Sequence, residues 1–195
     1  MARIHRVAAV VGAAALASAA LATPARAAGT VINWDTSAAY SGTATAQLTG
    51  NLVISGGGTT TCTSSSLGGS VTSGGALTIS SASVTGCSGT ASAITPQGLS
   101  WSGSVNYVSP TAPQGTVVLN GFSMRATVLG VNCTYGANIT APATNPVGGD
   151  YAKVSLAGIT IPKTAGIFLC PGSASITQGT YNLVGAGGVR LGMTP

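Results

Sequence analysis

Acidic side chains are almost missing from this sequence. Its 195 residues contain two aspartates, Asp35 and Asp150, no glutamate, and one histidine, His5, which falls in an amino-terminal leader. Each shortage removes a class of chemistry. Without an imidazole, a serine nucleophile has no base to take its proton. The stretch GLSWS, Gly98–Ser102, imitates part of a nucleophile elbow around Ser100. A serine stands where the last glycine should be, so the stretch reads as a turn into a Trp-bearing strand. A glycosidase pair would have to be Asp35 and Asp150, and both sit in turn-like segments that read as solvated. Two aspartates cannot furnish a calcium loop. A zinc site fails because no two cysteines approach C-x₂₋₄-C spacing and no histidine follows the leader. The glycines at 185, 187 and 188 lack the spacing and the following helix of a phosphate cradle. A Ser–Lys dyad on Lys153 or Lys163 is the one arrangement left. Lysines on short strands, however, read as surface gatekeepers. The expectation is a protein that is not an enzyme and holds no cofactor or metal.

Positive charge is scarce as well. Three of the seven basic residues precede position 28, leaving Arg125, Lys153, Lys163 and Arg190 against the two aspartates, a net charge of +2. Four scattered cations are no nucleic-acid footprint. Long apolar runs are limited to one, Val7–Ala22, with Arg3 and Arg6 before it and the small residues of TPARA after it. This is the layout of a signal peptide over residues 1–27, with the cut after Ala27. The run is shorter than the roughly 20 apolar residues of a membrane span. A freely secreted, extracellular protein is expected, with no transmembrane span in its mature chain and residues 28–195 forming one β domain.

What the chain has in abundance is glycine, serine, threonine and β-branched residues in strand-like runs. Val31–Trp34, Thr43–Ser55, Thr59–Leu67, Trp101–Val108, Thr116–Asn120 and the last strand, ending at Gly185, read as strands. Gly56–Gly58 and Gly74–Gly75 read as turns between them. In FSMRATVLG, Phe122, Met124, Ala126 and Val128 face one way and Ser123, Arg125 and Thr127 the other. In AKVSLAGITIP the alternation slips at Gly158, as a bulge would make it do. Many short strands with regular turns predict an all-β antiparallel sandwich of two sheets, immunoglobulin-like or Greek-key, with a partly closed barrel as runner-up. An outer-membrane barrel is disfavoured because paired aromatic girdles are missing.

Four cysteines in an exported chain imply two disulfides. Among three connectivities, Cys62–Cys87 with Cys133–Cys170 is nearest in sequence and respects a weak internal echo. In that echo CTSSSL at Cys62 matches CTYGANI at Cys133, and the run to Cys87 matches the run to Cys170. Chance similarity in so biased a composition explains the echo equally well.

Cys62, Thr63, Ile79, Ala82, Cys87, Ile94, Gly98, Leu99 and Trp101, followed by the apolar strand before LGVNC, form a pattern that resembles the protein activators of alkane oxidation. The closing LCPGSASITQGTY is similar to small secreted proteins of actinobacteria. The first resemblance covers about a quarter of the chain. It implies an extracellular, non-enzymatic factor acting at the cell surface or on hydrocarbon, and it brings no active-site residues. Together with a surface rich in Ser, Thr, Asn, Gln and Gly, it leads to an expected partner that is a cell-surface polymer, a hydrophobic interface or a second copy. The alternative is a small-ligand carrier or enzyme inhibitor, using aromatics such as Trp101 and Tyr107 or the loop Ser109–Gly115. N-terminal sequencing of the protein recovered from culture medium is expected to begin at Ala28; a chain starting at Met1 would overturn the leader assignment.

Overall fold

The computed structural model describes residues 30–195, so the leader and its cleavage site lie outside the described residues. The described chain is all-β. Its strands are β1 (Thr30–Asn33), β2 (Gly42–Ser55), β3 (Thr59–Val71), β4 (Ala76–Gly89), β5 (Ala91–Pro96) and β6 (Trp101–Tyr107). They continue with β7 (Gly115–Val128), β8 (Val131–Thr144), β9 (Ala152–Ser155), β10 (Ile159–Ala165), β11 (Ser173–Gly185) and β12 (Leu191–Thr194).

The two-sheet sandwich expected from the sequence is not what forms. The antiparallel ladder runs β2-β3-β4-β6-β7-β8-β9-β11 and returns to β2, closing an eight-stranded barrel. The physical reason lies in glycines inside strands. Gly121 reads as the end of one short strand and the start of another, yet β7 passes straight through it. The register shifts between Leu119 and Phe122, and Gly121 takes φ 73°. β2 does the same between Gln47 and Leu52, where Gly50 has φ 78°. Such bulges bend a strand and increase its twist without ending it, which is how a sheet coils far enough to meet its own edge.

Two gaps in the barrel wall are filled by paired fragments. β9 and β10 follow one another between β11 and β8, interrupted at Leu156–Gly158, where the sequence alternation slips. β5, which the strand-by-strand reading missed, continues the wall beside the carboxyl half of β7, below β6. The short pair β1–β12, also only half anticipated, lies across one end as a lid, with Val31 opposite Met193. Asn145 fastens it, accepting a hydrogen bond from the Met193 N–H (2.7 Å) and donating one to its carbonyl (2.8 Å).

Alternation sends apolar residues inward and hydroxyls outward. Leu52, Trp101, Ile161, Ile176 and the half-cystines Cys62 and Cys133 are the largest fully buried side chains. Outside, hydroxyls bridge neighbouring strands, as in Ser66–Ser83 and Thr160–Ser175, both 2.9 Å. An apolar interior within a hydroxyl-covered wall is the reverse of a transmembrane barrel. Separately, no helix among the described residues is long and apolar enough to cross a membrane.

The disulfides join Cys62 to Cys87 and Cys133 to Cys170. The first links directly opposed residues of β3 and β4, whereas the second ties β8 to the loop between β10 and β11. The two halves of the sequence echo therefore build different units. Two bridges mark a chain that folds in an oxidising compartment.

Trp101 anchors the core. It is 1 % exposed, its ring lies 4.8 Å from that of Phe122, and its indole N–H donates to the Gln97 carbonyl at 2.9 Å. Trp101→Ala is expected to destabilise the protein by about 3–5 kcal/mol in chemical denaturation. A loss below about 1 kcal/mol would contradict its place in the core.

Candidate functional site

The barrel ends differ, and the sequence-nominated residues sort between them. Asp35 and Asp150 both lie at the lid end, each held by its own cation. Arg190 Nε donates to the Asp35 carboxylate at 3.0 and 3.3 Å, its Nη2 also bonds Asp35, and its Nη1 reaches the Gly148 carbonyl at 2.6 Å. Lys153 Nζ bonds Asp150 at 2.9 Å. These hydrogen bonds hold both carboxyl groups below their ordinary pKa, the opposite of what a general acid requires. Lys153 is thus committed to an ion pair, and Lys163, in β10, lies toward the other end of the barrel. Trp101 is a core residue, Tyr107 is half-buried, and the Ser109–Gly115 loop is tied internally by the Ser109–Thr111 hydroxyl pair at 2.9 Å. Among the described residues no group of three or more His, Cys, Asp or Glu could hold a metal ion.

Behind the lid the barrel encloses an apolar cavity of about 70 Å³. It exists because Ala44, Ala46, Ala141 and Ala152 occupy inward positions that larger side chains would fill, with Val31 and Met193 of the lid above them. The nearby polar pair inside the barrel, Tyr181 hydroxyl to Ser65 hydroxyl, is satisfied at 3.0 Å, and burial pushes the Tyr181 phenol above its ordinary pKa.

The opposite end carries the feature that the sequence reading missed. Leu129 is 90 % exposed, Phe168 89 %, Leu169 62 % and Ile167 49 %. Leu129 tops the β7–β8 hairpin, and Ile167–Leu169 form the crest of the β10–β11 loop. The two lie at the same end because Cys170, just after the crest, is bonded to Cys133, and its sulfur sits 3.7 Å from the Asn132 carbonyl near the hairpin tip.

Both pieces are built to display these side chains. In the loop, the Cys170 N–H donates to the Ile167 carbonyl at 3.1 Å, and Lys163 Nζ donates to the Ile167 and Cys170 carbonyls at 3.4 and 3.3 Å. The loop's carbonyls are thereby gathered inward while its apolar side chains project. Gly166, at φ 129°, packs so closely that a Cβ would come within 2.6 Å of the Cys170 sulfur. At the hairpin, Leu129 and Gly130 have φ 49° and 79°. Consecutive left-handed residues suit Asn-Gly, and a leucine there is strained. Leu129 thus breaks two local rules at once, being apolar where water is and left-handed where leucine is costly. Such violations mark positions kept for function. The sequence signal was GIFLC, an apolar triplet without alternation between two strands.

Comparison with family models, characterised proteins and solved structures gives no match to this chain. The functional reading therefore rests on the geometry of the tip. Leu129→Asn is expected to stabilise the protein by up to about 1 kcal/mol by relieving the left-handed leucine, and Phe168→Ser to change stability by less than about 0.5 kcal/mol. Thermal melts check both; a large loss in either variant would mean that the tip is packed rather than displayed.

Proposed function

We propose that this protein is a secreted, non-catalytic factor that acts at a hydrophobic interface through its apolar tip. The observation that carries the reading is the stapled crest Ile167–Phe168–Leu169, which with Leu129 gathers four exposed large apolar side chains at one end, while Val108 and Val147 are exposed at the lid end. Exposing these side chains forgoes roughly 1.5–3 kcal/mol apiece relative to burial, and a contiguous exposed apolar patch marks an interaction site. The bridge and the Lys163 hydrogen bonds fix the loop beforehand, so little conformational freedom is lost when it docks. The resemblance to alkane-oxidation activators points the same way, as does the scarcity of charge that would keep the surface away from an apolar boundary.

A second reading has its own observation. The cavity behind the lid suits a small apolar ligand, which favours an extracellular carrier. The two readings use opposite ends of the barrel and so separate experimentally. Pendant-drop tensiometry at a hexadecane–water boundary is expected to show faster and greater tension loss for the wild type than for Phe168→Ser or Leu129→Asn. Equal adsorption by all three would remove the tip from the mechanism. Saturable one-to-one uptake of a small apolar probe, unaffected by these substitutions, would promote the carrier.

A further inference from the structure

The charges of this barrel are polarised along its axis. Both aspartates are at the lid end, neutralised by Arg190 and Lys153. The remaining cations of the described chain, Arg125 and Lys163, are both toward the tip. Arg125 is exposed on β7, four residues before Leu129 and hence roughly 13 Å along the strand. No ion pair or side-chain hydrogen bond engages its guanidinium among the described residues. Lys163 lies directly under the crest, its ammonium fixed by the carbonyls of Ile167 and Cys170. β7 and β10 flank β8, where Thr134 is opposite Arg125 and Tyr135 is opposite Lys163. Paired residues share a face, so Arg125 stands outside with Thr134, whereas Lys163 shares the inward face with the buried Tyr135 and Ile161 at the barrel mouth. The whole net charge of +2 therefore sits at the end that displays Leu129, Ile167, Phe168 and Leu169.

From this charge polarity we infer that the tip docks on anionic lipid bilayers, with the apolar crest entering the acyl boundary while the exposed Arg125 meets lipid phosphates and the Lys163 ammonium beneath the crest adds to the positive field there. The inference rests on the interface reading above and gives that interface a chemistry. Peripheral anchoring combines apolar insertion with attraction to anionic headgroups. Long cationic side chains can extend their charge along an apolar surface to the headgroup level. A bare hydrocarbon surface would make no use of the cations, and a protein pocket for the crest would leave the charge polarity unexplained. A cation near an anionic surface contributes about a fivefold preference, and the effect fades with ionic strength.

The test is sedimentation of the mature protein with vesicles of phosphatidylcholine alone or mixed with phosphatidylglycerol, at low and high salt. The wild type is expected to bind the mixed vesicles at least about tenfold more tightly at low salt, with the gap closing as salt rises. Arg125→Gln and Lys163→Gln should each shrink that gap about fivefold while leaving hexadecane adsorption intact; Phe168→Ser should lose both. Since Lys163 also holds the loop, Arg125→Gln alone decides the matter if Lys163→Gln misfolds. Equal binding to the two vesicle types, or an Arg125→Gln variant with an undiminished gap, overturns the anionic-lipid inference while hexadecane adsorption preserves the interface reading. Adsorption to neither vesicle nor hexadecane sinks both.

Discussion

Everything in this fold depends on the pairing of β2 with β11. These strands are far apart in the chain, with the Thr49 hydroxyl donating to the Thr180 carbonyl across 131 positions. Their ladder turns a run of hairpins into a closed wall. Once it forms, the inward residues of every strand share one interior and the outward residues face solvent alone. Without it, β2 and β11 would each present a row of unpaired backbone groups. A chain with so few charges has little to protect such edges from another copy. Closure achieves by geometry what charged gatekeepers do in open sheets. The scarcity of charge, read in the sequence as an invitation to self-association, loses its edge-strand basis around most of the wall; the seam between β4 and β5 is the stretch without ladder pairs.

How much of this was legible in the sequence depends on the kind of signal. Alternation in FSMRATVLG placed Phe122, Met124 and the outward Arg125 correctly, because period two is imposed by the strand itself. The turns at Gly56–Gly58 and Gly74–Gly75 were equally visible. Closure was legible only as the runner-up to a sandwich, because Gly50 and Gly121 can end a strand or bend it, and only the partner's register distinguishes the two. β5 escaped because SGTASAITP has a proline and few large apolar residues, although Ala91 and Ile94 prove to be buried. The tip escaped for a different reason. An apolar triplet beside a cysteine resembles core, and nothing in GIFLC says that two hydrogen-bonded carbonyls and a bridge turn its side chains outward. The candidate catalytic residues were named from their types, and the fold scatters them or neutralises them in ion pairs.

The tip and the lid divide the barrel's labour physically. At the lid end, charge is present and cancelled, the backbone is clasped by Asn145, and the interior leaves room behind Met193. At the tip end, charge is left over, apolar side chains protrude, and the interior below leaves only a smaller cavity of about 30 Å³, lined by residues such as Met124, Tyr135 and Ile161. A displayed patch needs a stiff base, or its side chains would fold back on the barrel. Cys133–Cys170 and the Lys163 contacts supply that stiffness from below.

The β2–β11 seam also bears on time. Most neighbouring strands meet across short turns, so hairpins such as β7–β8 can form as soon as both arms exist. The closing seam must instead bring together segments separated by most of the domain, and such distant pairings make folding slow. A chain with this wiring cannot seal its barrel until residues near 185 are free to join those near 44. It therefore stays open and threadable while its earlier hairpins come and go. That delay means that the Cys62–Cys87 and Cys133–Cys170 bridges, each closed within its own half of the chain, can form before the seam does.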